Sequence, residues 1–415
     1  MVRSFLAAAF LTTGANATEL RIEPLALDSI GAAAQPNLAH DGSDGFVLSW
    51  QSRLDDGCVA LRAAALSAQG GLGPVREVAR GCNWFVNWAD FPSLLVADNG
   101  DWVSFWLEKS GEGTYAYDVR ATRSRDRGRS WSAPTTIHDD GTATEHGFVS
   151  MAPAGGDKVL MVWLDGRHTG GEHDHGDHHP GVGGNMTLRS AVLSREAVLN
   201  NELEIDGNVC SCCPTDLVRL HNDEHRVVFR NRTDQEIRDI GMARFDGKTW
   251  HDEGIVHPDL WTIAACPVNG PAIAARGAET LVAWATMGGG EGMAIRAKLR
   301  NGEMLELERG DALGRLDAAV LGEGWLISWL GEGESGTTLR LGRFDAGLRE
   351  QSRHDVAALP PGRDIGMPRL AANRLVAMMV WTESGAQGPR VVGRRVTTAS
   401  QVSRDSSVES KVRRP

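Results

Sequence analysis

The sequence predicts an all-β protein: a β-propeller of four-stranded blades, seven in number with six as the alternative count, closed into a ring by an N-terminal strand. Three observations predict it. First, one phrase recurs: a short apolar strand, a Gly/Asp turn and a second apolar strand ending in an aromatic residue. Second, its terminal residues, Trp50, Trp106, Trp163, Phe229, Trp284, Trp329 and Trp381, follow one another at intervals of 56, 57, 66, 55, 45 and 52 residues, the differences of their numbers. A period of that size with β-type residues marks propeller blades. Third, the 415 residues include 49 Gly and 13 Trp but only 2 Tyr, an excess of turn formers and of one bulky packing residue.

The elements follow in chain order. Residues 1–17 read as a signal peptide: Arg3 is the positive n-region, 5–11 the apolar h-region, and Ala15-Asn16-Ala17 fits the small-x-small rule, with cleavage after Ala17. The expected location is therefore periplasmic or secreted, where cysteines meet an oxidising environment. The propeller domain spans 18–397. TELRIEPLAL (18–27) is a strand without a partner in its own neighbourhood. The phrase then supplies strands A and B of each blade: PNLAHDGSDGFVLSW (36–50), PSLLVADNGDWVSFW (92–106), SMAPAGGDKVLMVW (150–163), PTDLVRLHNDEHRVVF (214–229), PAIAARGAETLVAW (271–284), DAAVLGEGWLISW (317–329) and PRLAANRLVAMMVW (368–381). A third strand C follows, as at 59–66, 118–122, 186–193 and 338–344. A weaker D comes after it, as at 75–79 and 132–137. The seventh unit lacks its D strand, and 18–27 is placed to supply it and so remove the exposed edges. Residues 398–415, polar and basic, are expected to be a disordered tail. No apolar run is long enough for a membrane-spanning helix. The net charge of −11 argues against a nucleic-acid partner.

Ser124-Arg125-Asp126-Arg127-Gly128-Arg129-Ser130-Trp131 matches S-x-D-x-G-x-x-W, the Asp-box, and lies between strands C and D. Weaker versions occupy the same place at 245–250 and 344–347. Asp caps backbone N–H groups, Gly takes unusual dihedrals and Trp packs on the blade. By this motif the chain resembles the sialidase-like (BNR-repeat) propellers. Ser124, Asp126, Gly128 and Trp131 are its structural residues, and they carry no chemistry. The chain also resembles an uncharacterised group of exported bacterial sialidase-like proteins, through CNWFVNWADFP (82–92), WLDGR (163–167), VCSCCPT (209–215), RNRTDQEIRDI (230–240) and CPVNGP (266–271). That resemblance implies a shared site on one face.

The strand order fixes which face. A–B and C–D turns lie on one side of the disc, and B–C and D–A loops on the other. All six cysteines map to the second side. Cys58 and Cys82 flank blade one and are disulfide candidates. Cys210, Cys212 and Cys213 enter blade four and Cys266 enters blade five; they read either as further disulfides or as metal ligands. The loop of blade three carries His168, His173, His175, His178 and His179. Thiolates with imidazoles suit copper or zinc. Trp84, Asn87, Trp88, His146, Arg167, Arg230, Arg232, Trp261 and Asn269 gather on the same side as candidate ligand-binding residues for a glycan, a small anion or a metal ion.

Sialidase chemistry, as the resemblance implies it, needs a Tyr nucleophile with a Glu partner, an arginine triad, and an Asp acid/base. The only tyrosines are Tyr115 and Tyr117, in blade two, whereas the family's nucleophile comes late in the chain. Arg21-Ile22-Glu23-Pro24 is a broken echo of the family's Arg-Ile-Pro, and Arg167, Arg232 and Arg315 form no assignable triad. The usual route is disfavoured. The alternatives are a hydrolase or lyase acting on an acidic glycan through a carboxylate pair, Asp90 with Asp165 or Asp216, and a scaffold for a periplasmic protein. The leading expectation is an exported propeller that binds a ligand or a metal at its Cys/His-rich loop face.

Overall fold

The computed structural model describes residues 19–170, 184–196, 199–334, 336–385 and 388–398. The leader, His173, His175, His178 and His179, and the tail beyond Thr398 lie outside the described residues. Seven four-stranded antiparallel sheets stand in a ring. Blade one is β2 (Ala34–His40), β3 (Phe46–Arg53), β4 (Val59–Leu66) and β5 (Arg76–Gly81), preceded in the chain by β1 (Leu20–Pro24). Blade two is β6 (Leu94–Val96), β7 (Trp102–Lys109), β8 (Tyr117–Ser124) and β9 (Thr135–Thr136). Blade three is β10 (His146–Pro153), β11 (Val159–Asp165), β12 (Thr187–Leu193) and β13 (Leu199–Asp206); blade four is β14 (Asp216–Arg219), β15 (His225–Arg230), β16 (Ile240–Phe245) and β17 (Trp250–Ile255). Blade five is β18 (Ala272–Arg276), β19 (Glu279–Thr286), β20 (Met293–Leu299) and β21 (Met304–Gly310); blade six is β22 (Ala312–Leu321), β23 (Gly324–Gly333), β24 (Gly336–Phe344) and β25 (Glu350–Leu359). Blade seven is β26 (Arg369–Ala372), β27 (Val376–Gly385) and β28 (Gly388–Thr398), completed on its outer edge by β1, with Leu20 opposite Thr398 and Pro24 opposite Arg394. The first strands of successive blades meet around the axis, and β26 meets β2. Seven blades and closure by the N-terminal strand are as the sequence predicts.

The expected D strand of blade two, 132–137, shrinks to two residues. Pro134 lacks an N–H and interrupts the ladder beside β8, which Ser132 and Ile137 still reach through their N–H groups, to Arg123 O and Val119 O.

The core is distributed. Seven apolar clusters each fill the gap between two neighbouring blades. Second strands are buried on both faces, as β11 is throughout, which is why they read as unbroken apolar runs. Each of the seven terminal aromatics belongs to a different cluster: Trp50 packs on blade seven, Trp106 on blade one, and so round to Trp381 on blade six. One large flat side chain per gap is the physical reason for the repeat.

The Asp-box forms as expected. Ser124 Oγ accepts the Gly128 N–H at 2.7 Å, and Asp126 Oδ1 accepts the Ser130 N–H at 2.9 Å. Gly128 has φ +80°, and a Cβ there would stand 3.0 Å from the Trp102 ring. The hydroxyl and N–H of Ser130 hold the Asp126 carboxyl down at about 2.

Around the axis, carboxylates pin one blade to the next. Asp216 accepts the N–H of Ile273, and Asp317 that of Leu370, each at 2.8 Å. Asp90 reaches the N–H of Phe148 at 2.9 Å. Blades two and three, four and five, and six and seven are joined in this way.

Candidate functional site

The linker from β13 into β14 is tied down at its start. Val209 N–H donates to Met186 O and Cys210 N–H to Arg230 O, each at 2.9 Å. It then turns so that three thiols face one another: Cys210 Sγ lies 3.5 Å from Cys213 Sγ and 3.8 Å from Cys212 Sγ. All three cysteines are buried. Cys266, arriving from the linker into β18, hydrogen-bonds Cys212. The Arg238 guanidinium donates to Cys210 Sγ at 3.1 Å and is itself held by Glu236. The thiols of Cys212 and Cys213, with Arg238, hold the Cys210 thiol well below the ordinary range. Cys212 is pushed up by its contacts to the other three thiols, and Cys213 chiefly by burial. Within the cluster, charge is therefore favoured on Cys210 over Cys212 and Cys213. With a metal–sulfur bond of about 2.3 Å, a tetrahedral site has sulfur–sulfur edges of about 3.8 Å. The observed separations fit that edge; they are also ordinary sulfur contact, so they admit a metal without requiring one.

Cys58 and Cys82 form a disulfide. The other four cysteines are in no disulfide, so the reading of three disulfides is met at one pair only. The reason is local: the C-x-C-C turn brings its sulfurs together as a group rather than as one facing pair.

The remaining candidate residues are largely engaged with each other. Arg230 is buried and donates to the carbonyls of Asn269, Arg238 and Ala285. Its guanidinium also covers the buried Trp261 ring at 4.8 Å. Asn269 Oδ1 accepts the Arg315 N–H. Arg232 pairs with Glu236, and Asn87 Oδ1 caps the N–H of Ala89. Trp84 stacks on Trp106 at 5.5 Å, at the edge of a hollow also lined by Arg53, Cys82 and Lys109. His168 is exposed, and its carbonyl accepts the Gly184 N–H.

Two arrangements were not legible beforehand. In blades two and three, the buried Tyr117 hydroxyl lies 2.8 Å from Asp90 Oδ2 and 3.0 Å from Glu145 Oε1. The Tyr117 hydroxyl is shared between the two carboxylates, and burial lifts the Asp90 carboxyl to about 7. Close by, His146, His138, Asp140, Asp165 and Arg167 are packed together; His138 and Asp140 had no motif to mark them. Asp165 is fully buried and holds Arg167 at 2.7 Å. At the mouth of the axis, the half-buried Trp88 lies between Arg315, 4.3 Å from its ring, and Arg363, 5.8 Å away. Burial and then Arg363 lower the Arg315 guanidinium to about 10. Asp216, Asp317 and Arg369 line the hollow beneath.

Among the described residues no helix is long and apolar enough to cross a membrane. No family model matches the chain, and no curated protein does. Solved structures do. A protein of unknown function from Dyadobacter fermentans DSM 18053 is 12% identical, with a TM-score of 0.52 over 91% of this chain and 99% of that one. The Hadza microbial sialidase Hz136 is 13% identical, with a TM-score of 0.46 over 84% of this chain and 74% of that one. A K499G mutant of NanB sialidase from Streptococcus pneumoniae is 9% identical, with a TM-score of 0.47 over 92% of this chain and 95% of that one. At these identities the likeness is one of fold.

Proposed function

We propose that this is an exported propeller that binds a soft metal ion, copper(I) or zinc(II), through the thiolates of Cys210, Cys212 and Cys213 with Cys266 beside them. One observation carries the reading: three buried cysteines, none in a disulfide, bring their sulfurs together at metal-edge spacing, with the Arg238 guanidinium on Cys210 Sγ. Export is supported by the leader pattern and by the Cys58–Cys82 disulfide. The test is metal analysis and thiol counting on untagged protein prepared anaerobically from the periplasm. We expect near-stoichiometric copper or zinc, four titratable thiols after denaturation, and loss of the metal in Cys210→Ser. Less than about a tenth of an equivalent after reconstitution, or no free thiol at all, sinks the reading.

A second reading rests on Trp88. Arg315 and Arg363 flank its ring, and among the described residues neither has a carboxylate partner, so the axis mouth suits a carboxylate-bearing ligand such as an acidic sugar. Calorimetry with sialic and uronic acids on wild type and Arg363→Ala separates it from the metal reading. Equal heats from both proteins refute it. Asp90, Asp165 and Asp216 are buried or engaged with backbone and arginine partners, so we assign no nucleophile or general acid.

A further inference from the structure

Between blades two and three a buried imidazole nitrogen faces two carboxylates without a hydrogen-bond partner. His146 is fully buried. Its Nδ1 lies 3.2 Å from the carbonyl oxygen of Tyr117. A carbonyl only accepts, so the proton sits on Nδ1 and Nε2 presents a lone pair. That Nε2 is buried without a hydrogen-bond partner, yet it points at Asp140 Oδ1, 3.2 Å away, and Asp165 Oδ1, 3.8 Å away. Asp165 Oδ1 accepts Arg167 Nε–H at 2.7 Å and the Arg167 N–H at 3.1 Å, and Asp140 Oδ1 bonds His138 Nδ1, so Nε2 is the one atom of the three with no hydrogen-bond partner.

The surroundings are those of a cation site. A four-coordinate ion with N/O ligands at about 2.1 Å has ligand–ligand edges of about 3.4 Å, and the two measured separations bracket that value. Metal-ligating imidazoles characteristically donate their other N–H to a carbonyl or carboxylate, as His146 does to Tyr117. The carboxylates are oriented too. Asp165 Oδ2 accepts Trp163 Nε1–H at 2.8 Å and Arg167 Nη2–H at 2.7 Å, and Asp140 Oδ2 accepts the Thr142 N–H at 3.1 Å. His138 stacks on His146 with ring centroids 3.7 Å apart, and its Nδ1 bonds Asp140 Oδ1 at 2.8 Å. Arg167 pairs closely with Asp165, at 2.7 Å, and more distantly with Asp140, at 3.8 Å, so one guanidinium is shared between two carboxylates.

We propose that His146 Nε2, Asp140 Oδ1 and Asp165 Oδ1 bind a borderline divalent cation, zinc(II) or its neighbours, at a site separate from the thiols. Its rival is a proton on Nε2, which would make His146 an imidazolium.

Cobalt(II) serves as the spectroscopic probe on the full chain with Cys210, Cys212, Cys213 and Cys266 changed to Ser and with His173, His175, His178 and His179 changed to Ser. These changes remove the thiolates and the loop imidazoles, so the outcome does not depend on the thiolate reading. We expect one bound cobalt with ligand-field bands and no thiolate charge-transfer absorption. His146→Gln and Asp140→Asn should each weaken binding about 100-fold or more, while His251→Gln, at an exposed position of β17 in blade four, should not. Cobalt binding that is unchanged in His146→Gln overturns the proposal. So does a measurement on the unsubstituted chain, which avoids any folding defect: a His146 Nε2 nitrogen resonance that stays that of a protonated ring in excess zinc(II).

Discussion

Asp216→Asn should remove most of one pH-dependent loss of stability. Asp216 lies on the propeller axis, where burial first and the nearby Asp317 second raise its carboxyl to about 7. In the unfolded chain the same group releases its proton near the ordinary aspartate value of 3.8. Between those values the native protein binds the extra proton, so stability falls as pH rises, by about 1.4 kcal/mol per pH unit. The whole span of about 3 units amounts to about 4 kcal/mol, present below the lower value and lost by about pH 7. Asparagine keeps an oxygen for the Ile273 N–H and stops titrating. The assay is urea unfolding from about pH 5 to about pH 7.5, with free energies from linear extrapolation. We expect the variant's stability to decline less steeply than wild type by about 1.4 kcal/mol per pH unit, with a residual slope from Asp90. Parallel curves for the two proteins would refute the account of the axis.

Two further outcomes follow from the same structure. Replacing both Cys58 and Cys82, which lie 24 residues apart, with Ala should cost about 3.5 kcal/mol through the freedom returned to the unfolded chain; an unmoved urea midpoint counts against it. Arg230→Met leaves three buried carbonyls without their donor and should cost about 3–5 kcal/mol; a change under about 1 kcal/mol would mean that the guanidinium bonds are dispensable.

The blades were legible because their cause is periodic. Each interface takes one aromatic at the end of a second strand, and that spacing survives in the sequence. The thiol cluster was half legible: C-x-C-C announces convergence, but Arg238 at Cys210 comes from across blade four and no local motif ties it there. The His146 pocket was hidden for the same reason. Asp140 follows the last strand of blade two, His146 opens blade three, and Asp165 ends that blade's second strand, so only the packing of two blades assembles them. Arg230 and Asn269 looked like ligand residues because polar groups on a loop face invite that reading. The structure turns them inward to brace the linkers. An earlier sign was available in Asp216 and Asp317, which occupy the same register position, each opposite the residue before a terminal aromatic.

The carboxylate pins join blades in couples, and seven is odd. Blade one is the remainder, outside that pairing, between the blade that closes the ring and the first couple. It is also the blade whose own loop is stapled by Cys58–Cys82 to the linker leaving it. In a reducing medium that staple would be gone, and local breathing should begin there, seen as faster amide exchange in 46–66 than in the second and third strands of the coupled blades. The redox state of the surroundings would then set how tightly the ring stays shut.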